Sequence, residues 1–320
     1  MEQIKHLYDR VQARVGREIV GGERVIRLSV IALLVGGHVL IDDVPGTGKT
    51  TFAKAFAASL SLETRRLQCT PDLLPSDMTG VNYFDMKTSE FRFIPGPAFT
   101  NLLLADEINR AVPRTQSALL EAMEERQVTI DGETTVLPSP FVVMATQNPV
   151  ESESTFRLPA AQMDRFLIRL SMGYPTAQEE REMLFSLGDA IPLDKLDTIT
   201  SPEELLAAQQ EIASVQISQS VADYLVSLVS ETRTHPMVRM GASPRASRAL
   251  FRTVKAWAAM SGRDFVTPDD IQTLAQPVLA HRLLLSNEAR ISGTTASDII
   301  AGIVTRVPVP PFAGEEFHEA

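Results

Sequence analysis

The chain has 320 residues, 44% of them hydrophobic and 22% charged, which supplies apolar material for a large core and more length than one compact domain needs. A formal net charge of −10, with four tyrosines and one tryptophan, argues against broad attraction to nucleic acid or anionic membrane and against an aromatic base-stacking surface. Cys69 is the sole cysteine, so no intramolecular disulfide or cysteine-rich zinc site can form; with no signal-peptide pattern at the N-terminus, the expectation is a cytoplasmic protein.

In chain order, the uncharged run Leu28–Ile41 is broken by Gly36, Gly37 and His38 and falls short of the roughly 20 residues a membrane-spanning helix needs. His38–Ile41 reads as a buried strand running into Asp42-Asp43-Val44-Pro45-Gly46, and Thr51–Leu62 has helical spacing. Between them lies Pro45-Gly46-Thr47-Gly48-Lys49-Thr50-Thr51, a glycine-rich loop in the strand-to-helix context that phosphate binding requires. Glycines there allow backbone N–H groups to turn onto phosphate oxygens, and the helix N-terminus adds its positive dipole. Lys49 would reach the β- and γ-phosphates, and Thr50 would offer its hydroxyl to Mg2+. Asp43 stands where the G-x-x-x-x-G-K-[ST] pattern has its first glycine.

Val81–Phe84 and Phe91–Ile94 form a hairpin around Lys87-Thr88-Ser89. Leu102–Ala105 is a second apolar strand, ending in Asp106 and Glu107. Asp106 can hold the Mg2+ shell, and Glu107 can polarise an attacking water. Gln127–Ile130 and Thr134–Leu137 flank Asp131-Gly132, a strong hairpin signal. Phe141–Thr146 is a third buried strand, delivering Asn148 at its carboxyl edge, where ligands sit in open α/β sheets. Arg165 and Arg245 offer guanidinium forks for developing charge on a γ-phosphate, each weighed against an ordinary surface ion pair. His6, His38, His235, His281 and His318 are scattered along the chain, and each reads as a surface or core histidine rather than a metal ligand.

Beyond Tyr174-Pro175 helical periodicity takes over, in Glu179–Ser186, Pro202–Val215, Ser218–Thr232, Pro244–Met260 and Asp269–Leu285. The expected fold is therefore an α/β, P-loop parallel-sheet core with helices on both faces over residues 1–175, then a smaller all-helical domain over 176–308 and a disordered tail over 309–320.

Over nearly its full length the chain resembles the MoxR family of AAA+ ATPases. The resemblance rests on Val44-Pro45-Gly46-Thr47-Gly48-Lys49-Thr50, Thr70-Pro71-Asp72-Leu73-Leu74-Pro75-Ser76-Asp77-Met78-Thr79-Gly80, Pro95-Gly96-Pro97, Leu103-Leu104-Ala105-Asp106-Glu107-Ile108-Asn109-Arg110-Ala111, the run Thr115–Val128, Ala145-Thr146-Gln147-Asn148-Pro149 and Gly241-Ala242-Ser243-Pro244-Arg245-Ala246. It implies Lys49 and Thr50 as Walker A, Asp106 and Glu107 as Walker B, Asn148 as sensor 1, Arg165 as a trans-acting arginine finger and Arg245 as sensor 2 on a helical lid. Arg110, Arg114, Arg157 and Arg248 are rivals for the trans role. Val15–Val20 would lie near adenine; Thr70–Gly80 with its hairpin resembles the helix-2 insert, and Gln127–Leu137 the pre-sensor-1 hairpin. The resemblance further implies ATP and Mg2+ as cofactors and a homo-oligomer, most often a hexamer. It would act as a chaperone for maturation, assembly or metal-cofactor insertion of a client complex, with a von Willebrand factor A-domain partner. Alternatives are a nucleic-acid-linked AAA+ motor, a magnesium-chelatase-like ATPase subunit and a nucleotide-sensing scaffold.

Overall fold

The structure, a computed structural model, describes residues 1–17, 19, 21–44, 46–148, 155–186 and 200–311. Pro45, Pro149, two residues of the Val15–Val20 stretch and the expected tail from residue 312 onward lie outside the described residues. Helices α1 (Glu2–Val15) and α2 (Glu23–Val35) come first, and α2 stops at Gly36, whose left-handed conformation lets its N–H close onto Ala32 and Leu33. Then follow β1 (Val39–Asp42), α3 (Lys49–Ala58), β2 (Thr64–Gln68), α4 (Pro75–Thr79) and the hairpin β3 (Gly80–Asp85) with β4 (Glu90–Pro95). Next come β5 (Leu102–Asp106), α5 (Pro113–Glu125), the hairpin β6 (Gln127–Ile130) with β7 (Glu133–Val136), β8 (Val142–Gln147), α6 (Ala160–Met163), β9 (Ile168–Leu170) and α7 (Ala177–Ser186). The remainder holds α8 (Pro202–Ile212), α9 (Gln219–Thr234), β10 (Val238–Met240), α10 (Pro244–Met260), α11 (Pro268–Leu279), β11 (Leu284–Leu285), α12 (Asn287–Ser292) and α13 (Ala296–Arg306).

Five strands form one sheet in the order β2-β5-β8-β1-β9, with β2, β5, β8 and β1 paired in parallel. Every residue of β1 and β5 is buried, as continuous apolar runs covered on both faces should be. The register aligns Ile41 of β1 with Thr146 of β8, so the acids closing β1 and β5 and the polar end of β8 share one carboxyl edge. The strand β2 escapes sequence reasoning because Thr64-Arg65-Arg66-Leu67-Gln68 is an edge strand that buries Leu67 alone. Both expected hairpins are present, and Asp131 and Gly132 take the positive φ values that a tight I′-type turn demands.

The described residues pack as two units. One comprises Asp9–Leu158 with Leu170–Leu206 and contains the α/β layers; the other comprises Met1–Tyr8, Pro159–Arg169 and the chain from Ala207 onward, and is mainly helical. The boundary falls within β9. In the helical unit, the expected single helix Asp269–Leu285 ends at Leu279, passes through a 3-10 turn at Ala280–Arg282 and continues as β11, which pairs antiparallel with β10. Pro277 withholds one backbone donor from the last turn, and the Arg282 Nε donates to the Val278 carbonyl at 2.8 Å. This unit therefore carries a small two-stranded ribbon that the helical periodicity concealed. No helix among the described residues is long and apolar enough to cross a membrane.

Candidate functional site

The loop after β1 has the form its sequence requires. Gly46 and Gly48 adopt φ of 84° and 83°, and a Cβ placed on Gly46 would meet nothing within 4 Å, so it is the backbone conformation and not crowding that favours glycine there. Gly48 precedes α3, which puts Lys49 and Thr50 in its first turn, two residues earlier than periodicity indicated. The first N–H groups of a helix have no partner within the helix itself, and together with the helix dipole they favour an anion. The Lys49 ammonium donates to the backbone carbonyls of Asp43 and Gln147, the latter at 3.0 Å, spanning the ends of β1 and β8. Thr47 Oγ1 donates to the Val44 carbonyl at 3.1 Å.

Asp43, the departure from the glycine pattern, has a clear local task. Its φ is not positive, so glycine is not required; its buried carboxylate accepts from Gly173 N–H at 2.9 Å, from Ser171 Oγ at 3.3 Å and from the Met172 N–H. The entry to the loop is thereby tied to residues 171–173. Near it lies a pocket lined by Gly21, Gly22, Val25, Thr47, Met172 and Tyr174.

At the end of β5, Asp106 is 3% exposed, pairs with Arg66 Nε at 2.6 Å and accepts from Thr146 Oγ1 at 3.4 Å. Glu107 takes a left-handed conformation, φ 57° and ψ 51°, fixed by its N–H donating to Thr146 Oγ1 at 2.9 Å. That turn redirects its carboxylate, which accepts from Arg110 Nη1 at 3.0 Å and from Gln68 Nε2 at 3.1 Å. The backbone of Asn148 is held by Asn109, whose Nδ2 donates to the Asn148 carbonyl at 2.9 Å. Arg66, Gln68, Thr146 and Asn109 were missed from sequence; for the first three the signal is strand register, since Gln68 lies opposite Asp106, whereas Asn109 sits in the 3-10 turn after β5. Cys69, next along, is buried, and desolvation, then the charges of Asp106 and Glu107, push its thiol up to about 12.

A Mg2+ ion fits this donor set. The Asp106 carboxylate and the Thr50 hydroxyl are hard oxygen donors, and Mg2+ commonly takes one or two protein oxygens with the rest from phosphate and water. Among the described residues no group of three or more His, Cys, Asp or Glu is placed to hold a metal ion.

Lys49, Thr50, Asp106, Glu107 and Asn148 thus lie in the α/β unit, while Arg165 and Arg245 belong to the helical one. Arg165 is half-buried just before β9, and Arg245 is exposed at the second position of α10. Gly241, before it, must be glycine: a Cβ would come within 2.7 Å of backbone atoms of Thr232 and Arg233 in α9. Among the rivals, Arg110 pairs with Glu107, and Arg114, Arg157 and Arg248 are exposed.

Fold and sequence together define an AAA-type P-loop core followed by a lid: the model of the ATPase family associated with various cellular activities (AAA) matches residues 38–168, and the AAA lid domain matches residues 230–303. The uncharacterised protein YeaC of Bacillus subtilis is 47% identical over 97% of both chains, and the chaperone MoxR1 of Mycobacterium tuberculosis is 40% identical over 95% of this chain and 83% of its own. A crystal structure of a candidate ATPase from Cytophaga hutchinsonii superposes with a TM-score of 0.88 at 37% identity, covering 97% of this chain and 98% of that one. The chain belongs to the MoxR family of AAA+ ATPases.

Proposed function

We propose that the chain is an oligomeric, Mg2+-dependent ATPase that acts in the cytoplasm as a chaperone for maturation, assembly or metal-cofactor insertion of a client complex. Along the chain we assign the ATP-binding core to 1–175 and the lid to 176–308, although residues 159–169 pack with the helical unit and 176–206 with the α/β unit. The reading rests chiefly on one arrangement: the loop after β1 and the Asp106-Glu107 pair after β5 flank β8, which leads to Asn148 between them. The loop Pro45–Thr51 cradles the phosphates, and Lys49 neutralises charge on the β- and γ-positions. Thr50 and Asp106 would hold Mg2+, which when bound would offset phosphate charge. Glu107 orients and polarises the attacking water, assisted by Asn148. Arg165 reaches the site of a neighbouring subunit in a ring, taken as a hexamer, and Arg245 senses the nucleotide from the lid. A relative named as a chaperone supports the wider role.

The two hairpins add a candidate client surface. Phe91 is 75% and Met86 86% exposed in the turn and strand of β3–β4, and Val136 is exposed on β7. A von Willebrand factor A-domain protein would be the expected companion. The test is a trap: tagged Glu107→Gln protein is loaded with ATP and recovered from native extract, with Lys49→Ala as the unloaded control. ATP-dependent recovery of such a companion with a metalloprotein or membrane complex sustains the chaperone role. Recovery of nucleic acid or replication proteins instead would assign the ATPase to different work.

A further inference from the structure

The residues around Arg165 are gripped by a single buried side chain of the helical unit. Arg282, 6% exposed, lies in the 3-10 turn after α11. Its Nη1 donates to the carboxylate of Asp164 and, at 3.2 Å, to the Asp164 carbonyl; its Nη2 donates to the carbonyls of Phe166 at 2.7 Å and Leu167 at 3.3 Å. Nε anchors the fork to its own helix through Val278. The neighbouring His281 places Nε2 3.0 Å from the same Phe166 carbonyl. The gripped residues straddle Arg165: Asp164 before it, Phe166 and Leu167 after it. The other Asp164 oxygen accepts from Ser243 Oγ at 3.3 Å, and Ser243 is the residue from which α10 and Arg245 start.

A buried ion pair is weak evidence of a stabilising role, because desolvation consumes most of its Coulomb energy and an apolar cluster packs as well. What a planar fork with fixed donors does supply is orientation of the backbone it holds, which a lysine's point charge cannot reproduce. We propose that Arg282 and Asp164 are positioning residues for Arg165: they bind its segment to the helical unit, so the guanidinium moves with that unit and keeps its aim across the subunit interface. This rests on the reading of Arg165 as a trans-acting finger.

The experiment compares Arg282→Lys in the full chain with the same change in an Arg165→Ala background. It measures kcat, KM and the binding of a fluorescent ATP analogue, with oligomeric state monitored throughout. An arginine finger contributes roughly a thousandfold or more to kcat, so partial misplacement should lower kcat roughly ten- to a hundredfold. Nucleotide affinity should stay within about twofold, since the P-loop contacts are untouched. In the Arg165→Ala background Arg282→Lys should change kcat no further. Asp164→Asn, which keeps the shape while weakening the grip, should repeat the effect at smaller size and serves if Arg282→Lys fails to fold. Equal losses of kcat in both backgrounds would overturn the positioning role alone. Unchanged kcat in Arg165→Ala itself would overturn the finger reading and the positioning role with it.

Discussion

The two units hold their polar groups by different means. In the α/β unit the phosphate loop and the acids are carried by backbone: buried strands end at one edge, Gly46 and Gly48 turn in the left-handed region, and Glu107 turns by the same device. In the helical unit the segment around Arg165 is held by a side chain, the Arg282 guanidinium, from 118 residues away. A backbone-built site is contiguous in sequence, whereas a side-chain clamp joins residues whose spacing carries no pattern.

The sharpest way to set the two regions apart is to remove the chemistry of the first. Glu107→Gln should lower kcat by roughly 10²–10⁴, the range of a lost general base, while ATP-analogue binding persists. Loss of binding in step with kcat would show that Glu107 holds the site together and does not act on the water.

Asp43→Gly comes next in size, because it restores the motif yet removes the acceptor of the Met172 and Gly173 N–H groups. Met172 and Gly173 are only half-buried, so water can partly replace the lost acceptor, and urea unfolding should show a loss on the order of 1 kcal/mol. A variant as stable as the parent would mean that the tie to residues 171–173 contributes nothing.

His281 probes the clamp region. Its ring is fully buried, and desolvation, followed by the charge of Arg282, drives its pKa down to about 3 from 6.5. The unfolded chain takes up a proton near pH 6.5 while the folded one does not, so this contribution is complete above 6.5 and is lost as pH falls toward 3. The loss is on the order of 1 kcal/mol per pH unit. A Tm series from pH 7 to 5 should fall less steeply in His281→Gln than in the parent; parallel curves would contradict the assignment.

The smallest expected effect is at Cys69. Its buried, poorly ionised thiol should resist a disulfide reagent at pH 8 and react once urea unfolds the protein. Rapid native labelling would show that the end of β2 opens readily.

The same contrast explains what the chain discloses as plain sequence. β1, β5 and β8 could be read because parallel strands buried on both faces are continuous apolar runs, and the hairpins because Asp131-Gly132 and Lys87-Thr88-Ser89 punctuate them. The edge strand β2 could not, since an edge needs little burial and Arg65 and Arg66 look like loop residues. Nor could β11, because Leu283-Leu284-Leu285 continues the helical period of α11, although the helix itself ends at Leu279. At the candidate site, Lys49, Thr50, Asp106 and Glu107 are proposed from short sequence motifs. Arg66, Gln68 and Thr146 became visible only once strand register brought them beside the acids.

On the proposed reading, one subunit supplies the loop and acids and its neighbour supplies Arg165. The direct test mixes two inactive variants, Glu107→Gln with its finger intact and Arg165→Ala with its acids intact, at concentrations where the oligomer forms. Return of ATP hydrolysis on mixing, up to a fraction of the parental rate set by random assembly, is the predicted result. Mixtures no more active than their separate components, in oligomers shown to exchange subunits, would contradict a shared site.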